Sequence, residues 1–171
     1  VALGVVVGVV AAVNHGKWVD SVLMTISVFG ISAPAFWIAI ILQIVICLKF
    51  NLLPLSGIDS FKSFILPGIA LGTRYAASIA RITRTSMLDV LSQDYIRTAE
   101  AKGLKGWVVT IKHALRNALI PIITIAGSDL GNILTGSVLV ESVFSIPGIG
   151  KMLVDSINTR DLPIVQGGVM Y

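Results

Sequence analysis

The chain has 171 residues, of which 55% are hydrophobic and 13% are charged, and its formal net charge is +4. This apolar composition excludes an ordinary soluble domain and indicates an integral membrane protein. The basic residues fall in loops and near the ends of apolar runs, so the positive charge does not indicate nucleic-acid binding. The single cysteine, Cys47, excludes an internal disulfide and is interpreted as a core-filling side chain.

The first apolar run, residues 1–13, contains Gly4 and Gly8 at a spacing that lets two helices approach closely in lipid. The run is shorter than the roughly 20 residues that a helix needs to cross a bilayer. A short polar turn, residues 14–20, follows it.

Three longer apolar runs, each long enough to cross a bilayer, follow at residues 21–50, 64–87 and about 119–140. Pro34 lies inside the first of them and predicts a kink. A further apolar run begins at Leu162. Because the chain begins and stops within apolar runs, we expect one transmembrane domain over residues 1–171, truncated at both ends.

The loops between these runs fall into two pairs, because successive crossings alternate between the two sides of a membrane. Residues 14–20 and 92–116 share one side, and residues 51–62 and 141–161 share the other. The first pair holds most of the basic loop residues, whereas acidic residues offset the basic ones in the second pair. The positive-inside rule therefore places the loop 92–116 in the cytoplasm.

The only long polar interval of the sequence lies at residues 92–121. Good helix formers extend to Lys102, and Gly103 follows where the C-cap of a helix is expected. A second helix-like run then leads to Pro121. A short polar helix, a glycine break and a return into the bilayer favour the docking of a soluble partner, although an ordinary basic loop has the same composition.

Two opposite charges are predicted at membrane depth. Arg74 lies near the middle of its run, where a charge costs roughly 2.5–3.5 kcal/mol and normally faces a cavity or a partner. We interpret it either as lining a substrate path or as pairing with Asp129 in the later run. Asp129 and Asn132 lie among glycines, which fits a polar pathway or tight helix packing equally. Arg81 and Arg84 lie nearer the cytoplasmic end, where snorkelling explains their charges.

No catalytic motif is recognisable. The sequence has no GxxxxGK[ST] loop, so we do not expect this chain to bind ATP through a P-loop, and it has neither GxSxG nor HExxH. His113 has no carboxylate or thiol near it in sequence, so no metal site is predicted. An intramembrane enzyme is therefore disfavoured.

Two blocks of sequence carry a family resemblance. RTAEAKGL (97–104), followed by HALRNALIP (113–121), resembles the conserved cytoplasmic loop, the EAA loop, of binding-protein-dependent ABC importer permeases. The match is to the dipeptide, oligopeptide and nickel branch, to which VFSIPGIGKMLVDSINTRDLPIVQGGV (143–169) is also similar. Aligned on Gly103, Arg97 stands where the general motif has glutamate and Thr98 where it has alanine, and only Ala99 matches.

The resemblance implies an all-α, multi-spanning transmembrane bundle of the ABC importer permease type, with about four to five of six spans present. It implies a transport subunit in the inner membrane, embedded in lipid, that imports peptides and binds no cofactor itself. The implied partners are a second permease subunit, two cytoplasmic ATPase subunits that hold ATP and Mg, and an extracytoplasmic solute-binding protein. The implied ATPase-coupling loop, about residues 89–116, centres on Tyr95, Arg97, Thr98, Ala99, Glu100, Ala101, Lys102 and Gly103.

Ala99 and Ala101 lie about 200° apart around a helix of 3.6 residues per turn, so only one of them can face the ATPase cleft. We expect this to be Ala99, because it aligns with the alanine of the motif and shares a face with Tyr95 and Lys102. Gly103 is expected to end the helix with a positive φ.

The alternatives concern the substrate and the energy source. Nickel or another small solute is the alternative to a dipeptide, an oligopeptide or a glutathione-like peptide. A secondary transporter or channel driven by an ion gradient would use Arg74 and Asp129, but it would not need a docking loop for an ATPase.

Overall fold

A computed structural model describes residues 1–58, 60–134 and 138–170. The regular elements within these ranges are all helical, which confirms the predicted all-α fold. The helices are α1 (Ala2–Val13), α2 (Trp18–Ser32), α3 (Ala35–Leu42), α4 (Ile65–Leu91), α5 (Asp94–Ala101), α6 (Gly106–Val108), α7 (Arg116–Leu134), α8 (Val138–Phe144), α9 (Ile149–Thr159) and α10 (Leu162–Met170). Gln43–Lys49 and Val109–Leu115 are π-helical, and Phe61–Phe64 forms a 3₁₀ turn.

The chain divides into two compact units. The first unit comprises Val1–Ser32 and Arg74–Leu130, and the second comprises Ala33–Thr73 and the described residues from Gly131 onward. Each unit has its own apolar core. The polar interval singled out in the sequence lies wholly within the first unit.

The core of the first unit brings the polar interval together with the membrane helices. Buried side chains of α4, α5, α7 and the π-helical segment Val109–Leu115 form one cluster, to which α1 also contributes. Its buried members are Ala12, Ile79, Met87, Ile96, Ala99, Val109, Ala114, Ala118 and Ile122. The short helix α5 is therefore packed against the body of the unit.

Gly4 and Gly8 let α1 approach α4 as closely as their spacing predicts. A Cβ atom added to Gly4 would lie 2.5 Å from the backbone oxygen of Ala76, and one added to Gly8 would lie 2.5 Å from that of Ala80. Backbone at this distance leaves no room for a side chain. The prediction of a close small-residue contact is confirmed.

The second unit is built on α3, α8, α9 and α10. Helix α8 packs against α3 and α9, and α9 packs against α10. Cys47 is buried in the core of this unit, which confirms its interpretation as a core-filling side chain. The other buried members of this core are Ala39, Leu66, Ala70, Val140 and Phe144.

The glycine-rich SIPGIG segment forms a turn that leads into α9. Ser145 has a φ of 52°, and Gly148 is the N-cap of α9. The carboxylate of Glu141 accepts a hydrogen bond of 3.1 Å from the backbone N–H of Lys151, in the first turn of α9. Gly148 and Gly150 leave the space for this carboxylate, since a Cβ at either position would collide with it.

The helix boundaries differ from the predicted spans. The run 21–50 is broken rather than kinked, because α2 ends at Ser32 and α3 begins after Pro34, whose ring and missing N–H end a helix. The run predicted at 119–140 belongs to a helix that begins at Gly106, much earlier, and continues through Pro121 to α7's end. The sequence placed these boundaries wrongly.

Length and composition identify fewer candidate spans among the described helices than the four to five predicted, and the number of spans stays a prediction. Among the described residues, one helix, Gly106–Ile133, is by itself long and apolar enough to cross a membrane, by length and composition alone. The pair Trp18–Ser32 and Ala35–Lys49 adds a second if both helices are taken as one span. Helix α4 is 27 residues long but contains three arginines, which lower its hydropathy.

Side-chain contacts of the turn 14–20 and of the loop 51–62 bear on the predicted pairing of the loops. In the first unit the side chain of Arg84, about two turns before the end of α4, pairs with Asp20 at the end of the turn 14–20. In the second unit the Gln43 side chain donates to the carbonyls of Leu55 and Val143, at 2.9 Å and 3.0 Å. The contacts of Gln43 agree with the predicted pairing of the loops 51–62 and 141–161, although Asp59 lies outside the described residues. The pairing of the turn 14–20 with the loop 92–116 stays a prediction.

We predict that the loop 92–116 faces the cytoplasm and the loop 51–62 faces the opposite side. Ser92 and Ser60 are both exposed, so each would be replaced by cysteine in a Cys47→Ala background and treated with a membrane-impermeant thiol reagent in intact cells. We expect labelling at Ser60→Cys and protection of Ser92→Cys until the cells are permeabilised. The reverse pattern would overturn the topology.

Candidate functional site

The candidate site is the helix α5 with the turns at its two ends. Helix α4 ends at Leu91, and Gln93, in an extended conformation, is the N-cap of α5. The hydroxyl of Ser92 and the amide of Gln93 donate to the carbonyl of Asp89, at 2.8 Å and 3.3 Å. These bonds satisfy a carbonyl at the end of α4 and fix the short link into α5.

The C-terminal end of α5 is closed by Gly103. Its φ is +77°, and its N–H donates to the carbonyl oxygen of Glu100 at 2.9 Å. The N–H of Leu104 donates to the carbonyl oxygen of Ala99 at 3.5 Å. This pair of bonds is the Schellman motif, which requires a left-handed residue at the position of Gly103. The predicted glycine C-cap is confirmed.

The inner face of α5 anchors the helix to the first unit. Ile96 is 1% exposed and Ala99 is 7% exposed, and both belong to the core. Tyr95 lies beside them, and its phenolic oxygen accepts a hydrogen bond of 2.7 Å from the amide nitrogen of Asn117 in α7. Apolar burial and one side-chain hydrogen bond therefore fix the rotation of α5 about its own axis.

The expectation that Ala99 faces a partner is wrong. Its methyl group points into the core of the unit, where α5 lies against the π-helical segment Val109–Leu115. Alanine is needed there because a larger side chain would push α5 away from Val109 and Ala114, which are themselves buried. Ala101, on the opposite side of the helix, is exposed.

The outer face of α5 is the surface available to a partner. It consists of residues at i, i+3, i+4 and i+7 spacing, all exposed: Asp94, Arg97, Thr98 and Ala101. The carboxylate of Asp94 and the guanidinium of Arg97 are 3.8 Å apart, a surface pair that contributes little to stability. Both charges remain accessible to a partner.

The exposed surface continues around and beyond this face. Glu100 and Lys102 are exposed on α5 and its C-cap, and the segment after Gly103 presents apolar side chains at Leu104, Trp107 and Ile111. Trp107 is 69% exposed. The candidate site thus combines charged groups, a small methyl group at Ala101 and a neighbouring apolar edge.

The residues predicted for a translocation path lie on α4 and α7. Arg74 is exposed. The ion pairs formed by the described residues do not include one between Arg74 and Asp129. The interpretation of these two residues as an ion pair is therefore wrong. Asp129 is partly buried, and its Oδ2 atom is buried without a hydrogen-bond partner. Asn132 is exposed on α7.

A largely buried ion pair between Arg84 and Asp20 was missed in the sequence. Arg84, interpreted as snorkelling, forms two short hydrogen bonds with the carboxylate of Asp20. The sequence did indicate this pair, because Asp20 is the last residue of a polar turn that is predicted to lie on the same side of the membrane as the C-terminal end of α4. The described part of the chain contains no group of three or more His, Cys, Asp or Glu side chains able to hold a metal ion.

Comparison with known proteins gives a family and a set of relatives. Residues 4–171 match the family described as "Binding-protein-dependent transport system inner membrane component". Similar relatives are named glutathione transport system permease protein GsiC, from Escherichia coli (strain K12), Shigella dysenteriae serotype 1 (strain Sd197) and Salmonella typhi. Each is 46% identical over 170 residues, which cover 99% of this chain and 56% of the relative. The chain thus spans about half the length of these curated relatives.

We predict that Ala99→Trp destabilises the chain itself, whereas Ala101→Trp does not. The indole at position 99 has to enter a packed core, at a cost of about 1–3 kcal/mol. At position 101 it points outward, and its effect should stay within about 0.5 kcal/mol. Thermal unfolding of the two purified variants in the same detergent tests this difference. Equal melting temperatures would contradict the assigned faces of α5.

Proposed function

The chain belongs to the family of binding-protein-dependent transport system inner membrane components, and on this basis we propose that it forms the membrane-spanning permease part of an ATP-driven importer. The family match covers nearly all of the chain. A secondary transporter driven by an ion gradient is the less favoured alternative, because it would not explain the resemblance of the loop 92–116 to a docking loop for an ATPase. ATP and Mg would be held by a partner ATPase.

The proposed substrate is a short peptide of the glutathione type. The relatives named as glutathione transport permeases are 46% identical over 170 residues, and glutathione is itself a small peptide. This agrees with the resemblance of the two sequence blocks to the peptide branch of the family. We propose that the substrate reaches this chain from an extracytoplasmic solute-binding protein.

The proposed coupling element is α5 with its outer face. The observation that carries this proposal is the division of α5 into a buried face around Ile96 and Ala99 and an exposed face that ends at Ala101. A helix held so firmly from one side moves together with the unit to which it is packed. A cytoplasmic ATPase subunit that binds the exposed face would therefore displace α4 and α7 together with α5 when the ATPase closes around ATP.

The small side chain of Ala101 suits a narrow cleft. A helix enters a cleft more deeply where its side chains are short, and the exposed charges of Asp94 and Arg97 on the same face offer partners for polar groups of the cleft wall. The left-handed turn at Gly103 redirects the chain immediately after α5. We propose that this turn keeps the inserted helix short.

The full importer is proposed to contain a second permease subunit beside this one and two ATPase subunits below them. Alternating access is the proposed mechanism, with the closing motion of the ATPases transmitted through α5. Arg74, Asp129 and Asn132 remain candidates for the lining of the translocation path.

We predict that Ala101→Trp lowers the amount of ATPase that copurifies with the full-length permease by about tenfold, which corresponds to 1.4 kcal/mol. Gly103→Val should lower transport per ATP hydrolysed, because a β-branched residue is strained at a φ of +77°. Gly103→Asn is the matched control, since asparagine tolerates this conformation.

The experiment uses the complex purified from membranes and reconstituted in liposomes, with ATP hydrolysis and peptide uptake measured together. Ser60→Trp, at an exposed position on the opposite side, controls for the added bulk of an indole. A wild-type level of ATPase in the Ala101→Trp complex, with wild-type uptake per ATP in Gly103→Val, would refute α5 as the docking helix. Absence of any ATPase from the wild-type complex would refute the proposed importer.

A further inference from the structure

A cluster of three polar side chains joins the turn 14–20 to α4 in the first unit. The Nε atom of Arg84 lies 2.6 Å from Oδ1 of Asp20, and its Nη2 atom lies 2.7 Å from Oδ2. This is the bidentate geometry in which a guanidinium binds a carboxylate most strongly. The side chain of Asp20 is 6% exposed and that of Arg84 is 23% exposed, so the pair is largely withdrawn from solvent.

The turn is shaped to complete this cluster. Gly16 has a φ of +77°, and its N–H donates to Oδ2 of Asp20 at 3.2 Å. The Nδ1 atom of His15 lies 3.2 Å from the same carboxylate oxygen and 3.0 Å from Nη2 of Arg84. The carboxylate therefore has contacts from the backbone of the turn, from His15 and from α4.

The position of the cluster connects it to the candidate docking helix. Arg84 lies about two helical turns before Leu91, the last residue of α4, and the link through Gln93 leads directly into α5. Met87, on the helical turn between Arg84 and Leu91, is fully buried in the same core as Ile96 and Ala99 of α5. The end of α4 that carries α5 is thus held by an apolar core and, on the helical turn before Met87, by the ion pair.

We propose that Asp20 and Arg84 are positioning residues for ATPase coupling: their ion pair fixes the end of α4 to the α1–α2 turn and so resists displacement of α5 under load. This inference rests on the proposed function. When the ATPase pulls on α5, a loose α4 end would yield locally, and the motion would not reach the rest of the unit. An α4 end that is held by the ion pair would transmit the motion to the rest of the unit.

The burial of the Asp20–Arg84 ion pair determines how much its loss costs. Removing one partner of a largely buried ion pair leaves the other charge stranded, which is far more costly than the loss of a surface pair. A lone snorkelling arginine would instead find lipid phosphate or water. The two explanations therefore predict different results when Asp20, rather than Arg84, is changed.

The test uses the reconstituted full-length complex and compares Arg84→Ala, Asp20→Ala, the double variant, and the exchanged pair Asp20→Arg with Arg84→Asp. Arg81→Ala is the matched control, because Arg81 is an exposed arginine on the same helix and forms no ion pair with any other described residue. Arg84→Lys keeps the charge without the two-pronged geometry, and it serves if Arg84→Ala does not assemble. The readouts are the amount of assembled complex, ATP hydrolysis, and peptide uptake per ATP.

We expect the single alanine variants to retain ATP hydrolysis and bound ATPase but to lose about five- to tenfold in uptake per ATP. This fold-change corresponds to about 1–1.4 kcal/mol, which lies within the range of coupling energies between contacting residues. The double variant should be no worse than either single variant, and the exchanged pair should recover at least half of the loss. Arg84→Lys should be intermediate, and Arg81→Ala should match the wild type.

Three results would overturn the inference while leaving the proposed function intact. These are wild-type uptake per ATP in Asp20→Ala, equal effects of Arg84→Ala and Arg81→Ala, or a loss of complex amount in proportion to uptake with the ratio to ATP hydrolysis unchanged. The last result would make the pair merely structural. A wild-type complex without ATPase would instead refute the proposed function, and the inference would fall with it.

Discussion

The packing of one face of α5 into the core of the first unit is the constraint on which the rest of the candidate site depends. Ile96 and Ala99 are buried there, and this burial determines which side of the helix is left for a partner. An eight-residue polar helix is too short to be stable by itself in water. Its order comes from that core and from the Schellman motif at Gly103, and the same contacts would carry a pull on α5 to α4 and α7.

Local rules predicted much of the fold. The glycine C-cap at Gly103 and the close approach at Gly4 and Gly8 were confirmed, because each depends on a few neighbouring residues and on the lack of a Cβ. The break at Pro34 was expected only as a kink, since a proline alone does not fix how far the chain departs from a helix. The helix-like run that leads to Pro121 was predicted, but its continuation into the later span as one helix from Gly106 was missed, because polar residues on a membrane helix look the same in sequence as those of a loop.

The orientation of α5 could not be predicted, because it depends on contacts between residues far apart in sequence. Ala99 and Ala101 are equivalent in propensity and size, and only the core formed with Met87 distinguishes them. The same reason explains Arg84, whose partner Asp20 lies 64 residues away. Periodicity predicts which residues share a face of a helix, but it does not predict which face is buried when both are mixed in polarity.

The most direct test of the docking surface is a cysteine scan along α5 in a Cys47→Ala background, with a short bifunctional thiol and amine reagent applied to the assembled complex. The account predicts adducts with the ATPase subunit from cysteines at Asp94, Arg97, Thr98 and Ala101, and none from cysteines at Ile96 and Ala99. Adducts that are strongest at Ile96 and Ala99, or absent from all positions, would contradict the claim that the outer face of α5 meets the ATPase.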